Sequence, residues 1–252
     1  MVLGLNSFKN AFSGFAEQYT IIGGAACDLL MSKENMEFRA TKDLDIVLIV
    51  EALTPEFVNR FWYYVKEAGY EHQNKSTGEV EFYRFSNPKS KAYPKMIELF
   101  SRKPDMIKLP EGAVLTPLPM DDELSSLSAI LLNDSYYNFL LSGITMIDGV
   151  SILNTTHIIP FKAKAWLDLS QKKQQGMQVD SKSINKHKRD VFRLAVLLRE
   201  DQRVYISTDI YKDVNDFIDG MDNEEVNLKD LGIYNLVKED VLHLLQKVYV
   251  EI

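Results

Sequence analysis

The 252-residue sequence has little cysteine, no long apolar segment and no strong excess of one charge. Its single cysteine, Cys27, excludes an internal disulfide and a zinc site made of several cysteines. Such cysteine usage is typical of a reducing compartment. No apolar run approaches the ~20 residues that span a bilayer. Met1 to Asn10 also lack a basic region followed by a long apolar region. We therefore expect a cytoplasmic protein with no membrane partner.

The charge of the chain is unevenly distributed. The formal net charge is −7, which by itself disfavours a polyanionic partner. From Lys162 to Arg193, however, nine basic and three acidic residues give +6. From Glu200 to Ile252, thirteen acidic and five basic residues give −8. The net charge therefore does not exclude a nucleotide or an RNA end, and the acidic end is a candidate surface for a basic partner or for the basic segment of the chain.

Hydrophobic periodicity predicts two domains of different character. In the first part, strands are predicted at 19–22, 43–50, 79–85 and 93–100, and helices at 7–17, 25–31 and 54–68. Later helices are predicted up to Leu132, at 135–141, from Pro160 to Leu169, and at 183–199, 208–220 and 238–248, with a short extended piece at 149–153. We thus predict an α/β (α+β) domain with a small mixed sheet at 1–118 and a mainly helical domain at 119–252.

Three carboxylates form the most informative pattern. Asp43 and Asp45 begin a predicted strand one residue apart, so their side chains share a face. Adjacent carboxylates repel each other unless a cation lies between them, and Mg²⁺ prefers oxygen ligands completed by substrate phosphates. Glu98 is an acid within an apolar strand and therefore needs a partner or a metal. These residues predict a magnesium site, with Glu98 as the third ligand.

A Gly-Gly pair precedes these acids. Gly23 and Gly24 end one predicted strand and open a helix, where the backbone can approach a ligand and free N–H groups can bind phosphate. A nucleoside triphosphate bound between the glycines and the acids would suit two-metal chemistry, with pyrophosphate as the leaving group.

Each feature has an ordinary interpretation when taken alone. A Gly-Gly pair is usually a turn, Asp-x-Asp is usually an exposed strand start, and Glu98 is more often a salt-bridging residue on an edge strand. Their combination in strand–helix–strand order favours the nucleotide site.

The string Arg39-Ala40-Thr41-Lys42-Asp43-Leu44-Asp45, coming after Gly-Gly and a helix, resembles the nucleotidyltransferase superfamily of the polymerase-beta-like fold. More narrowly, it resembles the AbiEii-type nucleotidyltransferases, which are toxins of antitoxin-paired bacterial systems. The resemblance implies that Asp43 and Asp45 bind the catalytic metals. It also implies nucleotide contacts from Gly23, Gly24, Thr41 and Lys42. The stretch from Gly24 to Asp43 is longer than the usual motif, and the third acid is usually Asp, where this chain offers Glu98.

Two motifs in the basic segment carry the same resemblance. Lys162, three residues before Ala165, resembles the lysine that contacts the triphosphate in the family, and Lys164 is the alternative. Asp190 resembles the acid of the basic-Asp-aliphatic motif that closes the active site, whereas Arg193 stands where a second Asp is frequent. Without the upstream acids, this segment would be interpreted as a solvated helix face.

The leading hypothesis is a Mg²⁺-dependent nucleotidyltransferase that uses a nucleoside triphosphate. Its acceptor is an RNA end, a protein hydroxyl or a small molecule, and an antitoxin protein is a candidate partner. The alternatives are a nucleotide-binding toxin or regulatory module with weak or absent transfer activity, and a helical partner-binding protein.

Overall fold

The first unit of the chain alternates helices and strands. The structure, a computed structural model, describes residues 3–76, 81–102, 116–117, 130–131 and 133–252. The helices of this unit are α1 (Leu5–Ala11), α2 (Gly23–Lys33) and α3 (Pro55–Ala68). Its strands are β1 (Tyr19–Ile22), β2 (Asp43–Leu48), β3 (Glu71–Ser76), β4 (Glu81–Ser86), β5 (Met96–Ser101), β6 (Thr116–Pro117), β7 (Ile144–Ile147) and β8 (Val150–Leu153).

These strands form one mixed sheet in the order β6-β3-β4-β5-β2-β1-β8-β7. The central strand β2 runs antiparallel to β1 and parallel to β5. The predicted α/β class with a mixed sheet is confirmed. The sequence did not predict β3, because its segment EHQNKS is polar and lacks the alternation of a half-buried strand.

One face of the sheet packs against an aromatic cluster from α1 and α3. The ring centroids of Phe8 and Phe12 lie 4.4 Å apart, and Phe8 meets Tyr19 of β1 at 5.3 Å. Phe61 of α3 meets Phe85 of β4 at 5.3 Å. The pairs Phe8–Tyr19 and Phe61–Phe85 are edge-to-face, an arrangement that adds to the stability from burial. Because Tyr19 and Phe85 point into this cluster, their neighbours along each strand point to the other face.

The helix α3 begins and ends as its sequence predicts. The Thr54 side chain accepts a hydrogen bond from the Phe57 amide at 3.3 Å, and Pro55 is the first helical residue. Gly69 ends the helix in the left-handed region at φ 66°.

The second unit is mainly helical, as predicted. Its helices are α4 (Asp134–Ser142), α5 (Thr155–Gln174), α6 (Ser181–Ala195), α7 (Thr208–Gly220) and α8 (Lys238–Val248). Short 3-10 turns lie at Met221–Asn223 and Leu228–Leu231, and β9 (Val204–Ile206) pairs in parallel with β10 (Tyr249–Glu251). Most of the helix predicted to end at Leu132 lies outside the described residues. Among the described residues, no helix has both the length and the apolar character needed to span a bilayer.

The two units are interleaved along the chain. One comprises Met1–Pro119 and Ile144–Asn154, and the other comprises Met120–Gly143 and Thr155–Ile252. A division after residue 118 assigns the β7–β8 hairpin to the second domain. In the structure the hairpin extends the sheet of the first unit, because β8 pairs in parallel with β1.

The prediction that Pro160 opens a helix is wrong, because Pro160 lies inside α5, which begins at Thr155. Proline has no N–H to donate to the carbonyl four residues earlier, here Thr156. The hydroxyl of Tyr249 donates to that carbonyl at 2.8 Å in a buried hydrogen bond. Burial raises the pKa of Tyr249 well above its ordinary value, so the hydroxyl keeps its proton at neutral pH. A side chain 93 residues away thus supplies the donor that the proline lacks.

We predict that Tyr249→Phe lowers the free energy of unfolding by about 1–3 kcal/mol, because it leaves a buried carbonyl without this donor. In a Pro160→Ala background, where an amide N–H is restored, the same substitution should have a smaller effect. Urea denaturation of the four proteins measures the difference. Tyr205→Phe, at a tyrosine 65% exposed on β9, is the control that should change little. If Tyr249→Phe lowered the free energy of unfolding equally in the original chain and in the Pro160→Ala background, the Tyr249 hydroxyl would not be replacing the missing amide donor.

Candidate active site

The predicted acids Asp43 and Asp45 lie on one face of β2. Both residues are half-buried, whereas Leu44 and Ile46 between and after them are fully buried on the opposite face. The sheet therefore holds two carboxylates on the face away from the aromatic cluster. Within the described ranges, Asp45 has no ion-pair partner.

Strand register brings a third acid beside Asp45. Asp45 is the registered partner of Ile22 on β1 and of Glu98 on β5. Because directly registered residues of adjacent strands point to the same face, Glu98 shares the face of Asp45. The fold thus places the Asp-x-Asp pair and Glu98 on adjacent strands, next to the point where β1 ends at Ile22 and α2 begins at Gly23.

Gly23 lies directly against the Asp45 carboxylate. Its φ is +66°, and a Cβ added to it would lie 1.7 Å from Asp45 Oδ2. A side chain at this position would therefore displace the carboxylate as well as strain the backbone. The glycine allows the start of α2 and Asp45 to occupy adjoining space.

Gly24 allows two further side chains to lie close to the start of α2. A Cβ at Gly24 would lie 2.8 Å from Thr41 Oγ1 and 3.2 Å from Arg39 Nη2. Both side chains therefore pack against the first turn of α2, whose N-cap residue, Ile22, makes no side-chain capping hydrogen bond. Lys42, the next residue of the motif, is exposed. Arg39 was absent from the predicted site residues, although it opens the motif that contains Thr41.

Glu98 is held by an arginine that the sequence did not predict for the site. Arg84 of β4 donates from Nε and Nη2 to Glu98 Oε1 at 2.9 and 2.6 Å. The two residues are registered partners on adjacent strands, and their side chains are 20% and 13% exposed. Charge-assisted hydrogen bonds of this kind fix the acceptor strongly. The strand alternation around Phe85 is the signal that could have placed Arg84 on this face.

The oxygen donors fit a hard divalent cation in part. Asp43 and Asp45 supply carboxylates of the kind that Mg²⁺ prefers, with phosphate oxygens and water completing its shell. No group of three or more His, Cys, Asp or Glu side chains with metal-binding geometry occurs among the described residues. The carboxylate of Glu98 is directed to Arg84 instead, so Asp43 and Asp45 are the two residues that fit the metal.

In the second unit, two separately predicted residues meet. Lys162 Nζ of α5 lies 3.1 Å from Asp190 Oδ2 of α6, with side chains 6% and 0% exposed. Arg193 Nη1 lies 3.9 Å from the other oxygen of Asp190. A buried charge requires such compensation, because removal of one partner leaves the other charge desolvated. In this unit, the Lys162–Asp190 pair ties α5 to α6.

Lys164, the alternative phosphate ligand, also contacts acids of its own unit. Its Nζ lies 3.0 Å from Asp213 Oδ1 and 3.4 Å from Asp168 Oδ1. Burial acts to lower the pKa of Lys164, but the two carboxylates outweigh it and raise that pKa. The Tyr136 hydroxyl donates to the second oxygen of Asp213 at 3.0 Å. These contacts connect α4, α5 and α7.

Comparison with known proteins finds no matching family model and no matching curated protein. Among solved structures, the chain is similar to an antigenic nucleotidyltransferase-like protein from Paracoccidioides brasiliensis. The identity is 16% over 99% of this chain and 96% of that chain, with a TM-score of 0.45. It is also similar to the Cid1 poly(U) polymerase, at 11% identity over 78% of this chain and 47% of that chain, with a TM-score of 0.27. The chain thus spans about half the length of the Cid1 structure.

We predict that Gly23→Ala disrupts the position of the Asp45 carboxylate. Gly176→Ala is a matched control, because Gly176 has φ +83° and open space around its Cβ direction. The control should lose only about 1–2 kcal/mol of unfolding free energy from left-handed strain. Gly23→Ala should lose more in urea denaturation, because its Cβ would also collide with the Asp45 carboxylate. Equal losses of stability in the two variants would contradict the close approach.

We predict that Asp190→Asn lowers the free energy of unfolding by about 3–5 kcal/mol, because Lys162 then stays buried without its ion-pair partner. The double variant Lys162→Met/Asp190→Leu should recover most of that loss in chemical denaturation. Asp201→Asn is the control, since Arg199 and Asp201 form an exposed pair of the kind worth ~0–1 kcal/mol. A double variant as unstable as Asp190→Asn would contradict the pairing.

Proposed function

We propose that this chain is a metal-dependent nucleotidyltransferase. It moves a nucleoside monophosphate from a nucleoside triphosphate to an acceptor and releases pyrophosphate. The observation that carries the proposal is the approach of Gly23, at the start of α2, to Asp45, whose registered neighbour is Glu98. Backbone donors for phosphate and carboxylates for a cation thereby adjoin one another at the end of β1.

The N-terminal turn of α2 is the proposed triphosphate site. Its backbone N–H groups lack a side-chain cap, so they are suited to donate hydrogen bonds to phosphate oxygens. Gly24 allows Arg39 and Thr41 to lie beside this turn, where a guanidinium and a hydroxyl can donate to the same phosphates. Lys42 follows as an exposed cation.

Asp43 and Asp45 are the proposed metal ligands. Bound Mg²⁺ would neutralise phosphate charge and activate the attacking oxygen. The acceptor hydroxyl then attacks the α-phosphorus while its proton passes to a carboxylate of the site. The bond from the α-phosphorus to the bridging oxygen breaks, and pyrophosphate leaves with that oxygen. Arg84 fixes the orientation of Glu98 beside Asp45 during these steps.

The finer parts of the proposal follow the family resemblance. They comprise a two-metal site, an AbiEii-type toxin with an antitoxin partner, and a cytoplasmic location. The acceptor is an RNA end, a protein hydroxyl or a small molecule. Lys162 and Lys164 are proposed as nucleotide-binding residues and Asp190 as a catalytic acid, as the resemblance implies, and the ion pairs of the two lysines give them a structural role as well.

A second candidate is a nucleotide-binding toxin or regulatory module with weak or absent transfer activity. The Arg84–Glu98 ion pair favours it, because a carboxylate neutralised by arginine is a poor third metal ligand. Under this alternative, the triphosphate binds in the presence of Mg²⁺ and is not turned over.

The test is incorporation of labelled nucleotide from each of the four triphosphates into RNA, protein and small-molecule acceptors. We expect Mg²⁺-dependent transfer that Asp43→Asn and Asp45→Asn each reduce by at least about a hundredfold, the size of losing one group that stabilises transition-state charge. Asp219→Asn, at an exposed aspartate of α7, is the control. Calorimetric binding without transfer to any acceptor would support the second candidate. Full activity in both aspartate variants would overturn the proposal.

A further inference from the structure

The second unit carries a surface groove that the proposed chemistry does not use. It has a volume of about 610 Å³ and is lined by residues 222–229 on one side and 236–239 on the other. This volume falls within the range of roughly 300–1,000 Å³ that is usual for binding sites. The walls are the two 3-10 turns with their connection and the first turn of α8.

The groove is preformed by contacts between its walls. Lys238 Nζ at the start of α8 donates to the carbonyl of Met221 at 2.9 Å and to that of Glu224 at 3.4 Å. The Glu224 carboxylate in turn pairs with Lys188 of α6. Since these bonds hold both walls in place, a ligand would not need to order them, which favours affinity.

The rim of the groove carries unbalanced negative charge. Within the described part of the chain, the carboxylates of Asp222, Glu225 and Glu239 have no ion-pair partner. In all, the lining carries four carboxylates, of Asp222, Glu224, Glu225 and Glu239, and two lysines, Lys229 and Lys238, so acidic groups are in excess. A cationic ligand therefore fits this rim, whereas a nucleic acid or an anionic lipid surface would be repelled.

Apolar side chains also line the groove. Val226 and the buried Leu228 lie on one wall, and the exposed Leu236 and Val237 lie on the other. Leu236 is 37% exposed and Val237 56%, and Tyr234 just before them is 74% exposed. An apolar strip bordered by charged residues is typical of a site for a protein segment.

We propose that this groove binds a basic amphipathic segment of a partner protein. Aliphatic or aromatic side chains of the segment pack on Leu236 and Val237, and its lysines or arginines pair with the three rim carboxylates. The arrangement matches recognition of an amphipathic helix in a groove, where a few apolar anchors provide most of the affinity. The proposal is independent of nucleotide transfer, because no lining residue belongs to the candidate active site.

The experiment measures fluorescence anisotropy of labelled peptides with the full chain. The first probe is a peptide with lysine and leucine at helical spacing. One matched peptide replaces each lysine with glutamate, and another replaces each leucine with serine. We expect binding of the first peptide alone, and weaker binding as salt rises.

Two variants test the location of the peptide. Glu225→Lys and Leu236→Ser should each weaken binding about tenfold, which corresponds to ~1.4 kcal/mol. Glu251→Lys is the control, because it makes the same change of charge at an exposed residue of β10 outside the lining. Equal weakening by Glu251→Lys, or equal binding of the peptide without leucine, would show nonspecific attraction and overturn the proposal. Self-association in sedimentation that Glu225→Lys abolishes would also overturn it, by assigning the groove to a second copy of the chain.

Discussion

The register of β2 between β1 and β5 is the constraint on which the candidate site depends. Asp45 faces Glu98 across one strand pair and lies beside the end of β1 across the other. A shift of one residue would turn Asp43 and Asp45 toward the aromatic cluster and expose Leu44 and Ile46 in their place. Burial of Leu44 and Ile46 therefore fixes the face of the sheet on which Asp43 and Asp45 lie.

The sequence predicted the backbone of this arrangement well. Strong local signals, such as Thr54, Pro55 and Gly69 around α3, act within a few residues and need no tertiary information. Alternation in β2 likewise predicts which face the two aspartates share. The helix start predicted at Pro160 was wrong because the Tyr249 hydroxyl replaces the donor that the proline lacks, and no local sequence pattern reveals this long-range contact.

Partners of charged residues were harder to predict than their positions. Glu98 requires compensation within an apolar strand, and the structure supplies it through Arg84. From the sequence alone, Glu98 could bind a metal or form a salt bridge. Which of the two occurs depends on the residue that is registered opposite Glu98 on β4. Lys162 and Asp190 were chosen from separate motifs, and their pairing follows from the packing of α5 on α6. The packing of α5 on α6 is set by the whole facing surfaces of the two helices, so the separate motifs did not predict that these two residues pair.

The β7–β8 hairpin has a consequence for how the chain can be divided. All four residues of β1 are buried, three of them hydrophobic, and the strand is paired on both sides, with β2 and with β8. A fragment ending near residue 118 would lack β8 and leave one side of β1 with unpaired N–H and C=O groups. Such an open, hydrophobic edge is a template for intermolecular strand pairing and aggregation. During ribosomal synthesis, one side of β1 is likewise unpaired until residue 153 has emerged and β8 can pair with it.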